Sequence, residues 1–156
     1  MNKENKKRYI DLKEEIDRIK YPNVPYLGAA PVHERGANDL TRLIKSFLIM
    51  EGWQCERIST MGRMVGKPQI KNDIIGLPQI IGSQKYIKGT GTNGSADISA
   101  TIKGRSVKIE VKWGKDKQSE AQKKYQQDIE RAGGIYYIAQ TFDEFIKWYD
   151  QLIIKF

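Results

Sequence analysis

Within the charged run spanning residues 2–20, apolar side chains fall at Tyr9, Leu12, Ile16 and Ile19. Steps of three and four put them on one helical face, so the run predicts an amphipathic helix. YPNVPYLGAAP follows and stops it, because each proline disfavours helix in the residue before it. The same spacing returns at Leu40, Leu43, Ile44, Phe47 and Leu48, predicting a second helix over 38–51 that Gly52 ends. WQCERIST (53–60) reads as a strand. From 61 to 95 the pattern lapses into Gly, Lys, Pro and Gln around a short apolar piece, Ile74–Ile81. This stretch is expected to be a long, partly ordered basic excursion, of a length that is usually functional or mobile.

Regular alternation then begins. Ile98, Ala100 and Ile102 share one face of a strand over 96–102, and Val107, Ile109 and Val111 share one face of a second over 106–112. Ser119 and Gln122 have capping-box spacing at the head of a helix that Gly133–Gly134 closes. IYYIA (135–139) reads as a short buried strand. Thr141 with Glu144 opens a last helix whose stripe is Phe145, Ile146, Tyr149, Leu152 and Ile153. The order is α, α, β, excursion, β, β, α, β, α, without an internal repeat. It predicts an α/β domain with a mixed sheet and flanking helices.

Composition narrows the partners. Lys and Arg number 27 against 19 Asp and Glu in 156 residues, and the net charge of +8 favours polyanions. The lone cysteine, Cys55, excludes a disulfide framework and fits a reducing compartment. No apolar run approaches about 18 residues and no signal-peptide core opens the chain, so a soluble cytoplasmic protein with no membrane partner is expected. His33 has no Cys or His partner at metal spacing, which argues against zinc. GTGTNG (89–94) precedes a strand rather than a helix, unlike a nucleotide-binding loop.

The polar face of the hairpin carries the chemistry. Asp97, Ser99 and Thr101 oppose Lys108, Glu110 and Lys112 there. With Lys103–Gly104 as a two-residue turn, Asp97 lies opposite Glu110; with a four-residue loop it faces Lys112 and is diagonal to Glu110. Cross-strand neighbours lie about 5 Å apart directly and about 7–8 Å diagonally. Either register gathers the three groups. Two nearby carboxylates repel unless a proton or cation lies between them, and hard oxygen ligands at this separation suit Mg²⁺. A solvated strand face with a Glu–Lys pair is the other reading of the same residues.

GSAD (Gly94–Asp97), EVK (Glu110–Lys112) and Gln122 in SEAQ together resemble the PD-(D/E)XK nuclease superfamily, and more narrowly its VRR-Nuc (virus-type replication–repair nuclease) branch. The likeness covers roughly residues 37–140. It departs at Ala96, where the superfamily's motif name places proline. The resemblance implies a restriction-endonuclease-like αβββαβ core with a mixed central sheet over 37–156, preceded by an N-terminal helix and linker over 1–36. It also implies a divalent-metal-dependent endonuclease acting on DNA, of phage type, in replication, repair or recombination. Asp97, Glu110 and the Val111 backbone carbonyl would hold Mg²⁺ or Mn²⁺, and Lys112 would position or polarise the attacking water. Gln122 would join the catalytic set, although a capping box alone would also require it. Asp39, with Glu34 second, is the local candidate for the acidic residue that relatives carry on the first core helix; Asp39 is equally readable as a charge on the helix dipole. Branched or structured DNA and a homodimer are the associations the branch suggests.

Arg57, Arg63, Lys67, Lys71, Lys85 and Lys88, with Lys115 after the motif, are candidates for gripping a phosphate backbone. Ordinary solvated charge is the plain reading of each. A non-catalytic basic module on the same fold is the rival for the whole chain.

Overall fold

The computed structural model describes residues 1–28, 31–59, 62–87, 89 and 91–155. Its helices are α1 (Lys3–Lys20), α2 (Ala37–Met50), α3 (Glu120–Arg131) and α4 (Phe142–Lys155). Its strands are β1 (Gln54–Arg57), β2 (Arg63–Val65), β3 (Gln69–Asn72), β4 (Pro78–Ile81), β5 (Lys85–Ile87), β6 (Ile98–Ile102), β7 (Arg105–Val111) and β8 (Ile135–Ala139). The chain divides into two compact units, Met1–Ile58 with Gly94–Phe156, and Ser59–Asn93.

The first unit is built on a four-stranded mixed sheet ordered β1-β6-β7-β8. β1 and β7 run antiparallel to β6, while β8 runs parallel to β7 after the α3 crossover. The turn between β6 and β7 is the two-residue one. Lys103 (φ 47°) and Gly104 (φ 76°) both take positive φ, the requirement of a type I′ turn. Ile98 therefore pairs with Ile109 and Ala100 with Val107, and their side chains share one buried face.

α2 and α4 cover that face. The Phe47 ring meets Phe142, Phe145 and Tyr149 edge-on at 5.9, 5.9 and 5.2 Å, geometry that aromatic quadrupoles favour. α1 adds Tyr9, edge-on to Phe142 and bonded through its hydroxyl to Ser46 at 2.6 Å. The expected stripe along α1 is only partly used: Tyr9 is buried but Ile19 is 72% exposed. α3 covers the opposite sheet face, its Tyr125 ring contacting Tyr136 of β8 at 6.3 Å.

The second unit, expected as a partly ordered excursion, contains four strands that its pattern does not show. β2 pairs with β5 and β3 with β4, both antiparallel, and one register runs through Arg63↔Ile87, Val65↔Lys85, Gln69↔Ile81 and Asn72↔Pro78. The segment is a β-ribbon folded about residues 73–77. The interruptions at 66–68 and 82–84, with glycine or proline in each, mask its alternation. Among the described residues no helix is long and apolar enough to cross a membrane.

Candidate active site

Strand alternation sends Glu110 to the sheet face beneath α3, away from the α2–α4 core. Carrying the β6–β7 register one residue past Ile98 sets Asp97 opposite it. Asp97 sits just before β6, where its main-chain carbonyl accepts from Ile58 N–H at 2.8 Å. Its Oδ2 accepts from the Val111 N–H at 2.9 Å, which ties the carboxylate across to β7.

At its Glu110–Lys112 end the strand face is not solvated, while Thr101 and Ser106 remain exposed. Glu110 is 2% exposed and Lys112 6%. Lys112 Nζ lies 3.0 Å from Glu110 Oε1 and donates to Gln122 Oε1, also at 3.0 Å; the exposed Asp116 is a weaker partner at 3.5 Å. Burial pushes the Glu110 carboxyl up, the Lys112 hydrogen bond opposes the rise, and the charge of Asp97 adds to it. Burial alone would lower the Lys112 ammonium, but its hydrogen bond to Glu110 and that group's charge hold it above the ordinary lysine value. Lys112 is thus a firmly protonated donor.

Gln122 connects the helix to this pair. Ser119 caps α3, its Oγ accepting from Gln122 N–H at 3.3 Å, while Gln122 Oε1 accepts from Ser119 N–H at 2.9 Å. The same side chain donates from Nε2 to Glu110 Oε1 at 2.5 Å. One residue therefore completes the capping box and orients the site carboxylate. Gly94 lets the pieces approach: it has φ +79°, and a Cβ there would lie less than 3.0 Å from the Ala121 carbonyl and the Gln122 nitrogen.

Glu110 Oε2 is buried and has no hydrogen-bond partner. Ser95 Oγ, two residues before Asp97, and Tyr136 Oη are in the same condition. Leaving a buried carboxyl oxygen without a partner is costly; a proton, which burial favours on Glu110, or a cation would remove that cost. Among the described residues no three His, Cys, Asp or Glu side chains converge as a metal cage. An ion here would rest on Asp97, Glu110, the Val111 carbonyl, water and substrate phosphate, a set that suits Mg²⁺. The donor set fits.

Tyr136 is a member the sequence pattern does not announce, because IYYIA reads as a buried apolar strand. β8 pairs Tyr136 with Lys108 and Ile138 with Glu110, so Tyr136 shares the Glu110 face. Burial first, then the field of Glu110, pushes its hydroxyl up to about 12. Gln118 comes near it and opposes the rise, with geometry short of a hydrogen bond. Counting by twos along the strand from a residue of known facing is the signal that could have found it.

The other candidates lie elsewhere. Asp39, on the first turn of α2, binds Arg42 at 2.6 Å and the Arg35 N–H at 3.2 Å, so its charge has local partners. Glu34 has a structural task, accepting from Phe142 N–H at the start of α4 at 2.6 Å and pairing with the Met1 amino group at 2.8 Å. Among the described residues, no hydrogen bond or ion pair joins either to Asp97, Glu110 or Lys112. Arg57 is exposed on β1 and donates to Asn38 at 2.8 Å. Lys115 is exposed in the turn after Lys112. Arg63, Lys67, Lys71 and Lys85 are exposed on the ribbon, and Lys88 lies outside the described residues. A cleft lined by Lys13, Glu14, Asp17, Arg18 and Tyr26 shares no residue with the cluster.

No family model matches this chain, and no curated protein matches it.

Proposed function

We propose that the chain is a divalent-metal-dependent endonuclease of the PD-(D/E)XK type, hydrolysing phosphodiester bonds in DNA. The observation that carries this reading is the buried Glu110 with its unpartnered Oε2, held beside a protonated Lys112 and facing Asp97. Burying an ion pair costs several kcal/mol per ion, and a well-packed apolar pair is often as stable or more so. Charges retained under those conditions, with shifted titration, are a mark of functional sites. The order α2, β1, β6, β7, α3, β8 agrees with the αβββαβ core that such an enzyme requires.

Asp97, Glu110 and the Val111 carbonyl would hold Mg²⁺ or Mn²⁺. The ion, when bound, supplies Lewis-acid activation of water and neutralises charge developing on the phosphoryl oxygens. Lys112 has two of its three donors fixed by Glu110 and Gln122. Its third contact, to the exposed Asp116 at 3.5 Å, is the weakest, and a phosphate oxygen would take its place. From there the ammonium orients the attacking water and stabilises the phosphorane. Gln122 keeps Glu110 in one orientation, as outer-shell partners of metal ligands do.

A panel of labelled junction, flap, duplex and single-stranded DNAs, incubated with Mg²⁺ or Mn²⁺, tests the reading. At least one should be cut by the parent chain, with cutting abolished by chelator and by Asp97→Asn. DNA binding without cleavage across the panel would favour the rival, a non-catalytic basic module.

A further inference from the structure

None of the residues in the cluster comes from the ribbon Ser59–Asn93, whose surface has its own character. The ribbon sequence holds five basic residues, Arg63, Lys67, Lys71, Lys85 and Lys88, against one acidic residue, Asp73. Asp73 is committed to local geometry. Its Oδ1 accepts from the N–H groups of Ile75 and Leu77, each at 2.9 Å. Its own N–H donates to the Leu77 carbonyl at 2.8 Å, and its carbonyl accepts from Gly76 N–H at 3.0 Å. The closed loop holds Ile74, Ile75 and Leu77 outward, at 104%, 77% and 58% exposure. The cross-strand pair Ile70 and Ile80, each 73% exposed, extends the apolar surface below the tip.

An exposed apolar cluster of this kind marks an interaction site. Charge decides between occupants. Two such ribbons meeting each other would oppose like charges, whereas a polyanion would neutralise them. Two-stranded ribbons enter the grooves of duplex DNA. Apolar side chains act as wedges between base steps, and unstacking costs least where stacking is already broken.

We propose that the ribbon is a DNA-reading arm. Its basic stem follows the phosphates, and its Ile74, Ile75 and Leu77 tip enters an unstacked base step, so a duplex interrupted by a nick or gap is preferred over an unbroken one. The assignment rests on reading the chain as a DNA-cleaving enzyme, and it specifies the class of DNA that enzyme would take.

The test compares the full chain with its Ile74→Ser, Ile75→Ser, Leu77→Ser triple variant in Ca²⁺. Ligands are an unbroken duplex and the same duplex carrying a nick beside 2-aminopurine. The three side chains are exposed, so the variant should fold, and circular dichroism checks that it does. The parent should bind nicked DNA about tenfold or more tighter, with a rise in 2-aminopurine fluorescence, the scale of the unstacking cost that an already broken step spares. The triple variant should lose both the preference and the rise while keeping its affinity for the unbroken duplex. Equal preference in parent and variant would overturn the assignment, even if cleavage is intact. A variant that changed only the sedimentation coefficient would also overturn it, making the tip a contact between copies. Tip-dependent preference in a protein that never cleaves would uphold the arm and sink the nuclease reading.

Discussion

Gln122 donates to Glu110 Oε1 at 2.5 Å from the same side chain whose Oε1 accepts the Ser119 N–H of its own helix cap. Cap and carboxylate are therefore set by one residue, and two substitutions separate the roles. Gln122→Ala should cost about 1 kcal/mol for each hydrogen bond removed, and about 10–100-fold in metal affinity or cleavage. Gln122→Glu keeps a residue that capping boxes accept but places a carboxylate against Glu110. It should retain helix stability and still lose cleavage. Equal activity in parent and Gln122→Glu would reduce Gln122 to a cap.

Gly94 should tolerate no side chain. Gly94→Ala meets both a positive φ and backbone atoms of Ala121 and Gln122, whereas Gly104→Ala meets the positive φ (+76°) with open space around it. The turn variant should lose about 1 kcal/mol and the Gly94 variant clearly more, at the upper end of about 1–3 kcal/mol for backbone strain. Urea midpoints of the two variants give the comparison, and equal losses would deny that Gly94 sets the α3 approach.

Burial and Asp97 hold the Glu110 carboxyl above its ordinary value of 4.5, against the pull of Lys112. Because the fold favours the neutral form, the contribution of this group to metal-free stability is fully present below 4.5 and is lost as pH rises through the raised value. Metal affinity should run the other way, since proton and cation compete for the same oxygen. Calorimetric Mn²⁺ affinity should therefore increase with pH while metal-free stability decreases. Glu110→Gln should remove this group's share of both trends. A Glu110→Gln protein with parental Mn²⁺ affinity would remove Glu110 from the ligand set.

The polar hairpin face was legible because a strand's period of two leaves no freedom in which residues share a side: once Ile98 and Ile109 are buried, Asp97 and Glu110 must lie together. Register was not legible, since it depended on Lys103 accepting a φ of 47°. Nor could the pattern show that α3 buries the face, because that helix has no fully buried residue of its own to announce a packing stripe. The burial of Glu110 and Lys112, and the idle Oε2 that follows from it, emerge only when the helix is placed. Along the ribbon, the breaks at 66–68 and 82–84 interrupt the alternation that would have marked its strands.

The basic side chains of the ribbon should show themselves in salt dependence. Arg63, Lys67 and Lys71 are exposed, so replacing them with Ala leaves packing intact. If they neutralise phosphates, the slope of log K against log salt should fall by about 0.9 for each phosphate left without its cation. An unchanged slope would return them to ordinary solvated charge.

The most direct test of the catalytic assignment is single-turnover cleavage by Lys112→Met at saturating Mg²⁺, with DNA affinity measured separately in Ca²⁺. Methionine keeps most of the aliphatic stem but strands the buried Glu110 charge, which a bound cation would compensate, so folding is verified in the same metal. The variant should bind DNA as the parent does and cleave about 10²-fold or more slowly, the scale of losing one preorganised electrostatic partner. A folded Lys112→Met protein that cleaved at the parental rate would contradict the assignment.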